Sequence, residues 1–313
     1  MKDNQNKVMI LIACLVLVAA FIAAAVILAT RPADNGEPAA IPAETETVTE
    51  EAVETEAPAE EAAPEAEELP AAEETLVGLE KIRKDGKLVI GMEGNWSPWT
   101  YHDEKSGELT GLEVDIANLI AEGIGVTAEF KEAPWDALLA GVNAGRFDII
   151  CNGVGYTEDR AKSYNFTTPY VYSNKVLVVA DNNEDIKTVD DLKGKKTANS
   201  ASSTYAALAE EYGATLVPVD TLGETMDMLV QGRVDATINA QVSIADYLKE
   251  HPEAKIKIAQ ILPGDPVAYP LHIGEEYLPL VNAINEILEQ ARQDGRLAEI
   301  SMKYFGVDLT KAE

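Results

Sequence analysis

From residue 87 onward, short apolar runs alternate with longer stretches in which apolar residues recur every three or four positions. Residues 87–91 (KLVIG) form an apolar run ending in Gly, the pattern of a buried strand. Residues 111–123 carry apolar side chains at 112, 116, 119 and 120, which is one face of a helix. Residues 126–130 read as a second strand. Pro134 then opens a helix where its missing N–H costs nothing, with Trp135, Leu138, Leu139 and Val142 on one face and Gly145 closing it. Residues 147–151 are the third strand. This β-α-β-α-β order predicts a parallel sheet with right-handed crossovers, and ligands in such sheets bind outside the carboxyl ends of the strands. Glu93, Asn95, Trp96, Asn152 and Gly155 fall at those ends.

A second cycle follows without a tandem repeat. Strands are expected over 175–180, 196–199, 215–219, 234–239 and 255–259, with a last one over 268–273. Helices are expected over 190–194, from the Ser-rich cap at 200–203 to about 212, over 221–231 and 244–250, and finally over 276–294 and 295–304. The fold class is therefore α/β, in two units.

The N-terminal part follows different rules. Residues 8–29 are twenty-two positions without a charge, long enough to span a bilayer and longer than the usual core of a signal peptide. Lys2 and Lys7 precede it, which favours insertion with the N-terminus inside, although Arg31 on the far side weakens that asymmetry. The stretch Leu11-Ile12-Ala13-Cys14 also has the look of a lipoprotein cleavage site. An uncleaved anchor, a cleaved signal and a lipid-modified Cys14 remain open, and each puts residues 76–313 outside the cytoplasm. Residues 31–75 are a Glu/Ala/Pro segment with thirteen Glu and no Lys or Arg between 43 and 75. Such a composition buries too little apolar surface to fold and predicts an extended, self-repelling tether.

Charge and composition narrow the function. The formal net charge of −29 argues against nucleic acid as a partner. Cys14 and Cys151 are the only cysteines, and their contexts make a disulfide between them implausible. His102, His251 and His272 are far apart and show neither metal-ligand spacing nor a triad context, so no cofactor or metal is expected. Asp148 and Asp235 precede apolar strand residues and read as structural.

One stretch does carry chemistry. In residues 147–170 (FDIICNGVGYTEDRAKSYNFTTPY) a strand, a glycine-broken turn and a helix opening near Thr157 follow in succession, with Arg160 in the first turn. The helix dipole disfavours a cation there. An anion held between the helix N-terminus and a bidentate guanidinium accounts for it, and a long side chain lying across the helix surface is the plainer account.

The segments IGMEGNWSPWTY, ELTGLEVDIANLIAEGIG, PWDALLAGVNAGRFDII, YTEDRAKSYNFTTPY, DLKGKK, GRVDATIN and DGRLAEISMKYFGVD resemble the polar amino-acid class (family 3) of extracellular solute-binding proteins of ABC importers, over about 76–310. The resemblance implies two α/β lobes in the type II periplasmic-binding-protein fold, each a mainly parallel sheet flanked by helices, joined by two hinge strands. It implies lobe 1 over 76–179 plus 268–313 and lobe 2 over 180–267. It further implies that Arg160 clamps a ligand carboxylate with the Gly155 N–H. Asn152 and Gly153 would lie near the ligand amine, Trp96 and Trp135 would sandwich its side chain, and Glu93 would meet its polar end. Ser202 and Ser203 would close on the carboxylate from lobe 2. The family's lobe 2 acid for the α-ammonium is absent, because Ala240 stands at its position. Glu93, or Asn239 and Gln241 as neutral acceptors, is then expected to compensate.

Trp96 and Trp135 also read as core aromatics, the serines as helix caps and Glu93 as a solvated loop carboxylate. Taken with the resemblance, the sequence points to a monomeric extracytoplasmic binding component that captures an amino acid or amino-acid-like carboxylate and delivers it to a membrane permease, without catalysis. A prephenate or arogenate dehydratase on the same fold, with Glu93 as acid, is the enzymatic alternative. A ligand-sensing domain for a signalling partner is the third.

Overall fold

A computed structural model describes residues 76–311. The apolar run at 8–29, Cys14 and the acidic segment at 31–75 lie outside the described residues. The chain enters through α1 (Gly78–Asp85), a helix with charges interspersed among its apolar positions that buries Ile82 and ends on Gly86 at φ 70°. Next come β1 (Lys87–Met92) and a small antiparallel sheet of β2 (Asn95–Trp96), β3 (Thr100–His102) and β4 (Leu109–Thr110). Then follow α2 (Leu112–Ile124), β5 (Thr127–Glu132), α3 (Trp135–Asn143) and β6 (Ile149–Ile150). Both β5 and β6 pair with β1 in parallel, as the alternation of patterns requires. The third strand is shorter than the apolar run at 147–151, with Phe147 and Cys151 packed as flanking residues.

After α4 (Glu158–Ala161) and β7 (Tyr164–Phe166), β8 (Val171–Tyr172) leads to a second five-stranded sheet. That sheet comprises β9 (Lys175–Ala180), β10 (Lys196–Asn199), β11 (Thr215–Pro218), β12 (Ala236–Ala240) and β13 (Ile256–Leu262) in the order β11-β10-β12-β9-β13. Helices α5 (Thr204–Glu211), α6 (Leu222–Val230) and α7 (Gln241–Glu250) connect its strands. The chain returns through β14 (Pro266–Val267) to β15 (Pro270–His272), and ends in α8 (Leu278–Gln293) and α9 (Arg296–Phe305). The first lobe's sheet has the order β5-β1-β6-β15-β7. Both sheets are mixed. The first strand after each crossing, β9 in the second sheet and β15 in the first, runs antiparallel to the β-α-β core, because the chain must turn back between lobes. The crossing itself is the two-stranded ribbon β8–β14.

Alternating side chains divide each sheet between two cores. Leu88, Ile90 and Met92 face α2 and α8, while Val89 and Ile150 face α3. In the second sheet Val176 and Val178 join one cluster and Leu177 and Val179 the other, all fully buried. Each such side chain contributes about 1.5–3 kcal/mol. Asp148 and Asp235 have matching structural roles: their carboxylates accept the N–H of Val89 and of Lys196, each at 2.8 Å. The helix expected over 190–194 is a single 3-10 turn, Val189–Leu192, fastened by a Thr188–Asp191 capping box.

Candidate functional site

The carboxyl ends of β1 and β6 and the loops after β10 and β12 meet across a cleft that encloses a cavity of about 80 Å³. Arg160 reaches it from α4. Thr157 caps that helix by accepting the Arg160 N–H at 3.1 Å, which anchors the backbone from which the side chain extends. Its guanidinium donates from Nη1 to the Gly155 carbonyl and from Nη2 to the Ser202 carbonyl, both at 2.9 Å, and lies 5.4 Å from the centre of the Trp135 ring. The helix has only four residues, so the dipole argument against a cation has little force here. Burial pulls the Arg160 pKa down and the nearby Asp265 carboxylate opposes that shift. A guanidinium held this way keeps further N–H donors available, and the Gly155 N–H has no acceptor among the described residues.

Gly153 sits at φ 58°, and a Cβ there would come within 2.7 Å of the Trp96 ring, so the position demands glycine. Trp96 in turn stacks on the buried Trp99 at 5.3 Å. Trp135 lines the cavity but also packs against Leu138, Val142 and Phe147, and its indole N–H has no partner among the described residues. The two tryptophans therefore differ: Trp96 presents a ring to the cavity from a stacked pair, whereas Trp135 braces Arg160.

Eight of the residues expected at the site line this cavity: Glu93, Trp96, Trp135, Gly153, Gly155, Arg160, Ser203 and Asn239. Three do not. Asn152 is fully buried behind the loop, where its Oδ1 accepts the Glu93 N–H at 2.8 Å and its Nδ2 donates to Glu93 Oε2 at 2.7 Å. Ser202 donates from both N and Oγ to Asp136, at 3.0 and 2.6 Å, so it ties the lobes together across the cleft mouth. Gln241 starts α7 and faces a separate groove beside the hinge. Ser203 caps α5 by accepting the Ala206 N–H, and the Asn239 Oδ1 accepts the Ala240 N–H. Ala240 itself lines the cavity. Further ties from Ser97 to Asp246 (2.6 Å) and from Trp99 Nε1 to Ser243 (3.1 Å) hold the lobes closed.

Burial pushes the Glu93 carboxyl up to about 7, against the Asn152 amide that favours its charged form. Reasoning from sequence missed Lys175 and Asp265, which pair at 2.8 Å on the cavity wall next to the hinge. It also missed Glu113. This carboxylate is fully buried beneath the ligand loop and accepts the Gly153 N–H at 2.6 Å, the Tyr269 hydroxyl at 2.9 Å and the Tyr170 hydroxyl. Its position in α2, next to apolar Leu112 and Val114, was the one available signal.

The family model for bacterial extracellular solute-binding proteins, family 3, matches residues 88–307. A probable amino-acid ABC transporter-binding protein of Haemophilus influenzae is 43% identical over 234 residues, covering 74% of this chain and 90% of that protein. The L-cystine-binding protein TcyA of Bacillus subtilis is 38% identical over 230 residues, covering 74% of this chain and 85% of it. Among solved structures, an ancestral arginine-binding protein bound to arginine superposes with a TM-score of 0.66 at 32% identity, covering 71% of this chain and 99% of that one.

Proposed function

Since the chain belongs to family 3 of the bacterial extracellular solute-binding proteins, we propose that its cleft takes a free amino acid with an extended polar side chain, L-cystine first among them. The protein is the extracytoplasmic ligand-binding component of an amino-acid ABC importer, and its relatives are binding proteins and not enzymes. In this reading Arg160 and the Gly155 N–H fix the α-carboxylate, Trp96 supports the side chain, and Glu93 meets its far polar end. Asn152 positions Glu93, and Ser202 acts as a closing tie. The observation that carries the reading is the half-buried, braced Arg160 beside a Gly155 N–H with no acceptor among the described residues, in a cavity between two lobes. Lobe 1 is assigned to 76–179 plus 268–313 and lobe 2 to 180–267, supported by the β8–β14 ribbon between them. Residues 8–29 are assigned to holding the protein at the membrane and 31–75 to tethering it near its permease, where it acts as a monomer with a raised effective concentration.

A thermal-shift screen of the protein against amino acids, L-cystine, short peptides and deaminated analogues tests this directly, because a ligand that binds the native state raises Tm by mass action. A rise with L-cystine or another free amino acid is expected. No rise with any of them ends the reading.

The Glu93 carboxyl adds a pH dependence. It titrates at about 7 in the free protein, and a bound ammonium group favours its charged form. Affinity for L-cystine should then be full above pH 7 and fall below it, by at most about tenfold per unit. Titrations across pH 5.5–8.5 read this, and a Glu93→Gln variant should lose the dependence.

A further inference from the structure

An α-ammonium taken out of water is costly unless a carboxylate receives it, and Ala240 places no acid on the cavity wall where one is expected. Of the other acids near the cleft, Asp136 and Glu93 are committed, and Asp220, which also lines the cavity, acts by its charge on Glu93. Asp136 accepts both Ser202 donors. Glu93 is tied to Asn152, and the charges it feels are those of Asp136 and Asp220. The ammonium of an amino acid sits one carbon from its carboxylate, so its partner must lie beside Arg160 and Gly155.

Asp265 lies there. It lines the cavity, its charge acts on Arg160, and a Cβ built on Gly155 would come within 3.1 Å of its Oδ2. Lys175 holds Oδ2 at 2.8 Å, and no described residue donates to Oδ1. Lys175 is also the register partner of Ala240 on the neighbouring strand, so the pair stands next to the position that lacks its acid. The placement is fixed from behind: a Cβ on Gly264 would come within 1.6 Å of the Ser173 carbonyl, so only glycine lets this turn press against the hinge. We propose that Asp265, held by Lys175, is the specificity-determining residue that receives the ligand α-ammonium in place of an acid at position 240. The proposal rests on the amino-acid reading of the cleft.

Calorimetric titration of the full protein with L-cystine and with 3,3′-dithiodipropionate, the same molecule without its two amines, tests it. The wild type should prefer L-cystine. Asp265→Asn should lower affinity for L-cystine by about 30-fold or more, as loss of a buried charged partner does, and change that for dithiodipropionate by less than about threefold. Adding Ala240→Asp to Asp265→Asn should recover at least about tenfold of the loss, because the acid returns to the neighbouring wall. If Asp265→Asn folds poorly with an unpaired Lys175, Asp265→Asn with Lys175→Met carries the same comparison. Equal losses for both compounds mean a structural tie and overturn the proposal, as does an unchanged affinity for L-cystine. The two readings fail separately. A wild type that binds another free amino acid but not L-cystine ends the cystine assignment, and the same variants with that amino acid and its deaminated counterpart decide the role of Asp265.

Discussion

Replacing Arg160 with Ala is expected to weaken amino-acid binding by about 100-fold or more, roughly 3 kcal/mol. The guanidinium is half-buried, its backbone is capped by Thr157, and Trp135 and the Gly155 carbonyl hold its plane, so little side-chain entropy remains to be lost when a carboxylate arrives. A lysine at this position keeps the charge but cannot span two carboxylate oxygens and the Gly155 carbonyl together, so Arg160→Lys should recover only part of the loss. Stability of the unliganded protein should fall by about 1–2 kcal/mol, because the Gly155 and Ser202 carbonyls lose their donor. Titration calorimetry with the best ligand from the thermal screen, alongside denaturant melts of both variants, separates the two effects. Affinity within threefold of wild type would remove Arg160 from the site.

The parts of this molecule that could be read in the sequence are those with a period or an incongruity. The β-α-β alternation stands out because buried strands and one-sided helices repeat on different periods, and the parallel pairing of β1 with β5 and β6 follows from it. Arg160 stands out because a cation at a helix start asks for a reason. The direction of a side chain at a strand end has no such signature. Gly153 faces the cavity while the adjacent Asn152 is turned into the protein to hold Glu93, and Ser202 and Ser203 divide in the same way between a lobe tie and a cap. Lys175 and Asp265 lie 90 positions apart and meet only because both hinge crossings pass the cavity wall. The helix α1 and the two-residue strands β2 and β4 are too polar or too short to rise above the surrounding pattern. Glu113 was concealed by its charge, because a carboxylate in an amphipathic helix is normally taken for the solvent face.

Glu113 yields the second large effect. Its carboxylate joins three separate parts of the binding machinery: the ligand loop through the Gly153 N–H, and the hinge crossings through the hydroxyls of Tyr170 and Tyr269, whose rings stack at 4.1 Å. Glu113→Leu leaves all three buried donors without an acceptor and should cost about 3 kcal/mol or more in stability. Glu113→Gln keeps an acceptor oxygen and should cost less. The pH dependence carries the sharper test. Burial raises this carboxyl from 4.5 to about 7 in the folded protein. A carboxyl raised on folding binds its proton more tightly in the native state, so the stability it supports is full below pH 4.5 and is lost as pH rises through about 7. The shift corresponds to about 3 kcal/mol. Glutamine does not titrate, so the deficit of Glu113→Gln relative to wild type should be largest near pH 4.5 and shrink toward pH 8; Glu93 is present in both proteins and cancels. Denaturant melts at four or five pH values measure the difference. A deficit that stays flat across that range would mean that Glu113 keeps one charge state throughout, and that its three donors outweigh its burial.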